Sequence, residues 1–192
     1  MYKLIVLSAV IVAAVSSQQV FQNKFAMKEA APQMMIDIDE PFSMQSQPGL
    51  VAAVLALYPV AASSEFDPNH GIANSRIGSQ HSRVNSHSWC ASYNDANQWI
   101  GVSLLGFKRV MKVATQGRSD ARQWITQYRV QYTKDGATWF NADNGRVFIA
   151  NTDNTHVVNN TITTPFFARA VRIAPVAWNG HISTKFEVYF EE

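Results

Sequence analysis

From residue 66 onward the chain alternates short runs of β-branched and aromatic residues with Gly, Asn, Asp and Pro, the texture of strands joined by turns. In ITQYRVQYT (125–133), Tyr128, Val130 and Tyr132 fall on one face and Gln127, Arg129 and Gln131 on the other. This predicts a strand with one buried and one wet face. Lys134-Asp135-Gly136 reads as the following turn, because Gly136 can take the positive φ that closes a hairpin, and the return strand begins over 137–140. Comparable runs occur at WIGVSLL (99–105), RVMKVAT (109–115), RVFIA (146–150), HVV (156–158), ARAVRIA (168–174) and TKFEVYF (184–190). In the last, Phe186, Val188 and Phe190 alternate with Lys185, Glu187 and Tyr189. Several short strands without a long helical period predict an all-β fold, an antiparallel sandwich or barrel.

The beginning of the chain is written differently. Lys3 precedes the apolar run LIVLSAVIVAAV (4–15) and the small residues Ser16 and Ser17, which together read as a signal peptide over 1–17. The run is too short for a membrane span, which needs about 20 apolar residues. Residues 18–65 read as a poorly structured leader, with Met27, Met34, Met35 and Met44, the acidic patch IDIDE (36–40), and Pro32, Pro41 and Pro48. Within it lies an apolar segment, LVAAVLALYPVAA (50–62), interrupted by Pro59. Three readings stay open for that segment: a short helix packed on the domain, a propeptide or interaction segment, or a second signal-like region behind a start at Met44. The globular domain is expected over 66–192, in a secreted, extracellular protein.

Composition narrows the function. Charged residues make up 16% of 192 and the net charge is +2, so no strong field points to nucleic acid. Residues 18–65 carry Lys24 and Lys28 against Glu29, Asp37, Asp39, Glu40 and Glu65, a net of −3, and residues 66–192 carry the remaining 13 Lys or Arg against 9 Asp or Glu, a net of +4. Cys90 is the single cysteine, so no intrachain disulfide can form. Next to Trp89 it reads as a small buried hydrophobe. No Gly-rich phosphate loop, His-Glu zinc spacing or nucleophile elbow occurs, so the chain reads as non-enzymatic. Asn159-Asn160-Thr161 is a glycosylation sequon, predicting a surface loop with Asn159 as acceptor.

Three stretches resemble the discoidin family, also called coagulation factor type C (F5/8 type C) domains. They are QWIGVSLLGFKRVMKVATQGRSDARQWITQYRVQYTKDGATW (98–139), NTDNTHVVNNTITTPFFARAVRIAPVAWNGHISTKFEV (151–188) and, more weakly, HGIANSRIGSQ (70–80). Trp89-Cys90 ahead of Asn97-Gln98-Trp99 is similar to the amoebal discoidin lectins. The resemblance implies an antiparallel jelly-roll β-sandwich of about eight strands, galactose-binding-like, whose loops at one end hold galactose-type sugars, anionic phospholipid headgroups or protein. Two departures stand out. Neither end of the domain carries the cysteine with which most animal members close it, and Arg118-Ser119-Asp120 stands where the amoebal lectins have Arg-Gly-Asp.

Sugar recognition needs flat apolar surface for the ring face and convergent planar donors and acceptors for the hydroxyls. Two loops qualify: SQHSRVNSHSWCASYNDAN (79–97), with Asn85, His87 and Tyr93, and QGRSDARQW (116–124), with Arg118 and Asp120. In the family these connections lie at the same end of the sandwich. Arg118 follows Gly117 on a tight turn and is set either to present its guanidinium to a ligand or to pair with Asp120. Trp89 reads as core, Trp99, Trp124, Trp139 and Trp178 as packing, and His181 as a brace for its loop. Some relatives hold a structural calcium ion, and Glu187 matches their late carboxylate, although the opening loop lacks the accompanying Asp-Gly pair. Tyr93 is the one plausible apolar tip of the 79–97 loop, which favours a hydrated ligand over lipid insertion.

The expectation is a secreted, lectin-like adhesion module that binds cell-surface or matrix glycans of galactose type and gains avidity as a homo-oligomer. The alternatives are a structural extracellular-matrix component of a skeleton, shell or egg coat, bound to matrix protein, and a peripheral binder of anionic phospholipid.

Overall fold

The structure is a computed structural model that describes residues 49–78 and 88–192. Among the described residues nine strands follow in order: β1 (Leu50–Ala52), β2 (Val60–Ala62), β3 (Trp89–Cys90), β4 (Ile100–Gln116), β5 (Trp124–Thr133), β6 (Trp139–Asn141), β7 (Val147–Ile149), β8 (Val158–Asn179) and β9 (Ser183–Glu191). Every ladder between them is antiparallel. The path runs β1-β9-β4-β8-β5-β6, with β2 on β4, β3 on β9 and β7 on β5.

Two long strands turn this path into a sandwich. The first part of β4 pairs with β2 and with 170–173 of β8, whereas its second part pairs with β9 and with residues between 158 and 168 of β8. Both strands therefore pass from one layer to the other, as strands do at sandwich corners. The two runs read as separate strands at 99–105 and 109–115 are one strand, bent at a bulge between Ser103 and Lys108 where Leu105 (φ 49°) and Gly106 (φ 142°) take left-handed backbone. In the same way 168–174 is part of the long single strand β8, whereas of the run 156–158 only Val158 belongs to it, His156 and Val157 lying in the loop before it.

The inner faces supply one continuous core. Val102, Leu104, Ile125, Tyr128, Val130, Phe148, Val171 and Ile173 meet Val110, Val113, Phe186, Val188 and Phe190. Strand β5 follows its pattern, since Tyr128 and Val130 are buried while Arg129 is exposed. The turn after it is held as read: Gly136 has φ 77°, and Asp135 accepts the backbone N–H groups of Ala137 and Thr138 at 2.8 Å each.

The domain boundary at 66 is corrected by residues 50–65. Segment 50–62 forms neither a helix nor a free leader: β1 pairs with the end of β9, β2 pairs with the start of β4, and Ala53, Val54, Ala61 and Ala62 are buried. Pro59 breaks the run between the two strands rather than outside the fold. The signal run and the leader up to residue 48 lie outside the described residues.

Strand β9 departs from alternation. Residues 183–190 are buried on both faces, because the outward side is roofed as well. Lys112 lies over the Tyr189 ring at 3.9 Å, and Lys185 donates to Ser119 Oγ at 3.0 Å. Glu187 accepts from Val54 N (2.6 Å), Leu55 N (2.8 Å) and Val188 N (2.9 Å). One carboxylate thus fastens the chain between β1 and β2 to the middle of β9. The sequon is also relocated: Asn159 is exposed as predicted, but on β8 opposite Ala114 rather than in a loop.

A chain starting at residue 66 loses β1, β2 and two of the three donors to Glu187, and stranding a buried carboxylate costs on the order of 3 kcal/mol. Such a fragment should show no cooperative melt by circular dichroism, whereas one starting at residue 49 should melt like the full chain. Burial pushes the Glu187 carboxyl up to about 7, outweighing the backbone N–H groups and Arg76, which pull it down. Between the ordinary value of 4.5 and about 7 the native state keeps a proton that the unfolded chain releases. Its stabilising effect is therefore complete below 4.5 and lost as pH rises through 7. Thermal melts from pH 4 to 8 should show this fall, and E187Q should flatten that part of the profile.

Candidate functional site

Four connections gather at the end of the sandwich where β4 and β8 finish and β5 and β9 begin. The turn between β4 and β5 is closed by Arg118 N donating to Gln123 O at 3.0 Å. Its entry, Gly117, approaches the 151–157 loop so closely that a Cβ there would lie 2.6 Å from Asn154 Cα and 3.0 Å from Trp124 Cβ. Glycine is needed for that approach. Asn179 Nδ2 donates to Arg122 O at 2.8 Å, tying the β8–β9 connection to the same turn. The 91–98 loop joins through Asn94, whose Oδ1 accepts from Ile182 N at 2.8 Å and whose Nδ2 donates to Gly180 O at 3.3 Å.

Arg118 and Asp120 form the centre of this end. The guanidinium meets the carboxylate side-on, Nε to Oδ1 at 2.7 Å and Nη2 to Oδ2 at 3.1 Å, which gives both direction and strength. Nη1 donates to Gln123 Oε1 at 3.0 Å and lies 3.9 Å from Cys90 Sγ. Of the five guanidinium N–H groups these bonds use four, and one on Nη2 remains. The Arg118 side chain keeps 19% of its surface and Asp120 30%, so the pair is held from below and open above. Its hydrogen bond to Asp120 raises the Arg118 pKa further, so the group stays charged. The pairing with Asp120 is thus the arrangement the structure shows, and it fixes the direction of a guanidinium that keeps part of its surface exposed.

Lys185 lies beneath the turn through Ser119 and is buried, and desolvation lowers its pKa. Alternation along β9 places it on the wet face. Its pairing opposite Gln116, one residue before the Gly117 turn, is the signal that it belongs to this end.

Tyr93 is 66% exposed on the 91–98 loop, as a tip residue should be. Asn85 and His87 lie outside the described residues. One aromatic escaped the sequence reading. Phe66 is 56% exposed, its N–H donates to Cys90 O at 2.9 Å, and its ring meets those of His181 and His70 edge-on at 5.8 and 5.5 Å. The Phe66–Cys90 link brings this ring group beside the strand whose thiol touches Arg118. Trp89 is core, with Nε1 donating to Ser64 O at 2.8 Å, Trp99 and Trp124 are buried, and Trp139 and Trp178 pack partly buried.

Glu187 does not fit a calcium ligand. Calcium takes six to eight oxygens, but this carboxylate faces three backbone N–H groups. No cluster of three or more His, Cys, Asp or Glu suited to a metal forms among the described residues.

The chain is similar to a discoidin-1 polypeptide of Dictyostelium discoideum, 38% identical over 131 residues that make up 66% of this chain and 52% of that one. It is 33% identical to human retinoschisin over 55% of this chain and 51% of that protein. The chain thus spans about half the length of the curated relatives it matches. Among solved structures, discoidin II of Dictyostelium discoideum superposes with a TM-score of 0.72 at 33% identity, over 75% of this chain and 60% of that one. A family 32 carbohydrate-binding module of C. perfringens NanJ, solved in complex with galactose, shares the fold, with a TM-score of 0.59 at 18% identity over 73% of this chain and 98% of that one. The galactose-binding-like sandwich, its loop end and a match of residues 59–188 to the F5/8 type C domain model lead to one conclusion: this chain belongs to the F5/8 type C (discoidin) family, whose domains are binding modules rather than enzymes.

Proposed function

We propose that the domain is an extracellular lectin-like module that binds galactose-type glycans at the loop end, with Arg118 and Asp120 as its polar centre. The observation that carries this reading is the side-on pair, which leaves one N–H on Arg118 Nη2 beside a carboxylate at a partly exposed surface. Adjacent sugar hydroxyls each donate and accept, so a donor next to an acceptor suits a pair of them. Phe66, Tyr93 and His181 supply ring surface nearby for the apolar face of a pyranose. The galactose complex of the NanJ module supports the class of ligand through the shared fold.

The matrix reading loses part of its motive, because residues 50–65 serve the domain itself. A single sugar site of this kind binds weakly, so assembly into a homo-oligomer on cell-surface or matrix glycans is the natural route to avidity. Export through residues 1–17 and glycosylation at the exposed Asn159 belong to the same reading.

Titration calorimetry with galactose and a glycan array on the secreted protein test the site. R118A should lower galactose affinity roughly tenfold or more, the scale of one hydrogen bond to a charged group. Unchanged binding in R118A removes the site assignment, and absence of any galactoside among array hits removes the ligand class. F66A and Y93A should each weaken binding several-fold while leaving the melting temperature within about 2 °C, since both rings are largely exposed.

A further inference from the structure

Strands β5 and β8 fill the core with one face and turn the other outward. Val171 and Ile173 of β8 and Tyr128 and Val130 of β5 belong to the core, so Arg172, Arg129 and Gln131 lie on the opposite face. The register sets Gly101, Arg172, Gln131 and Asn141 in one row across β4, β8, β5 and β6. Arg129 stands diagonally from Arg172, opposite Ala174. None of these residues belongs to the Arg118 cluster.

Arg172 is half-buried and held in one direction on this face. Its guanidinium carbon lies 4.2 Å from the centre of the Trp139 ring and 5.3 Å from that of Trp99. Nε donates to Gln131 Oε1 at 2.8 Å, and Gln131 Nε2 donates in turn to Asn141 Oδ1 at 3.0 Å. Nη1 and Nη2 donate to none of the described residues, yet neither is among the buried polar atoms left without a partner, so both reach solvent.

An opposite charge is what the surroundings lack. Strands β4, β5, β6 and β8 contain no Asp or Glu. Neither Arg172 nor Arg129 has an ion-pair partner among the described residues. Burial lowers the Arg172 pKa to about 10, with no carboxylate near enough to raise it, and the group stays charged at neutral pH. Two cations on neighbouring strands repel each other, and nothing in these strands offsets them.

The geometry points to this sheet face as a binding site for the uronate units of an acidic polysaccharide, a carboxylate lying end-on across Nη1 and Nη2 of Arg172 with Arg129 beside it. Two planar donors side by side match the two oxygens of a carboxylate. The exposed Asn141 amide offers Nδ2 to a neighbouring hydroxyl. An acidic peptide is served less well, because β8 is hydrogen-bonded to β4 on one side and β5 on the other, leaving no strand edge on which a peptide could add. A lipid surface needs exposed apolar side chains at a tip, whereas Arg172 stands in mid-sheet.

The test is calorimetric titration of the full chain with a hyaluronan octasaccharide, its carboxyl-reduced neutral form and octaglutamate. Hyaluronan should bind saturably, more tightly than octaglutamate and more weakly as salt is raised, and the reduced form should not bind. R172Q should lower hyaluronan affinity at least tenfold and leave galactose binding unchanged, whereas K134Q, at an exposed lysine of the β5–β6 turn, should bind hyaluronan like the parent chain. No saturable binding, an undiminished affinity in R172Q, an equal loss in K134Q, or equally tight binding of the reduced form overturns the assignment. Tighter binding of octaglutamate overturns it in favour of an acidic peptide. Should R172Q fail to fold, R129Q and N141A decide, both at exposed positions: at least one must weaken hyaluronan binding, and unchanged binding in both overturns the site. Because galactose is titrated separately, the fate of the loop-end proposal does not bear on this one.

Discussion

A strand buried on both faces must find a partner for every polar group it carries, and β9 is such a strand. Its inward residues Phe186, Val188 and Phe190 belong to the core, while its outward residues include a lysine and a glutamate that no interior tolerates alone. Glu187 is met by the backbone of residues 54 and 55, and Lys185 by Ser119 of the β4–β5 turn. These two requirements bring the first segment of the domain and the loop end to the same strand. The fold's closure and the position of its candidate site thus share one cause.

The loop end gains its order from contacts between connections more than from any one of them. Gly117 lets the β4–β5 turn sit against Asn154, Asn179 reaches Arg122, and Asn94 spans Gly180 and Ile182. Past the strand ends no sheet ladder is available, and side-chain amides take its place, satisfying backbone groups that would otherwise face one another unpaired. Arg118 inherits its direction from this frame. A guanidinium fixed by a carboxylate and an amide loses little further freedom on meeting a ligand, which is the condition for an affinity contribution from a single exposed group.

Stability without a disulfide follows from the same arrangement. Cys90 is buried and touches Ser183 Oγ at 3.2 Å, acting as packing and as a weak hydrogen-bond partner rather than as a cross-link. In place of a covalent tie between the ends of the domain, β1 pairs with the last residues of β9, Leu50 opposite Glu191, and Arg109 reaches Glu191 at 2.9 Å. The ends are closed by a ladder and an ion pair.

The all-β class, the hairpin after β5 and the inward residues of β5 and β9 were legible because each depends on a period of two and on turn residues a few positions apart. Arg118, Asp120 and Tyr93 were legible as candidates for a similar reason, since loops rich in polar and aromatic residues announce themselves locally. What the sequence could not decide was everything that depends on a neighbour distant along the chain. Whether 50–62 is leader or strand turns on β9 and β4, 38 to 42 residues away in the nearer case. Whether Lys185 and Glu187 are wet turns on what roofs them, and the place of Phe66 at the loop end turns on its hydrogen bond to Cys90. Alternation reports which face a side chain points to, but only tertiary packing determines whether that face meets water.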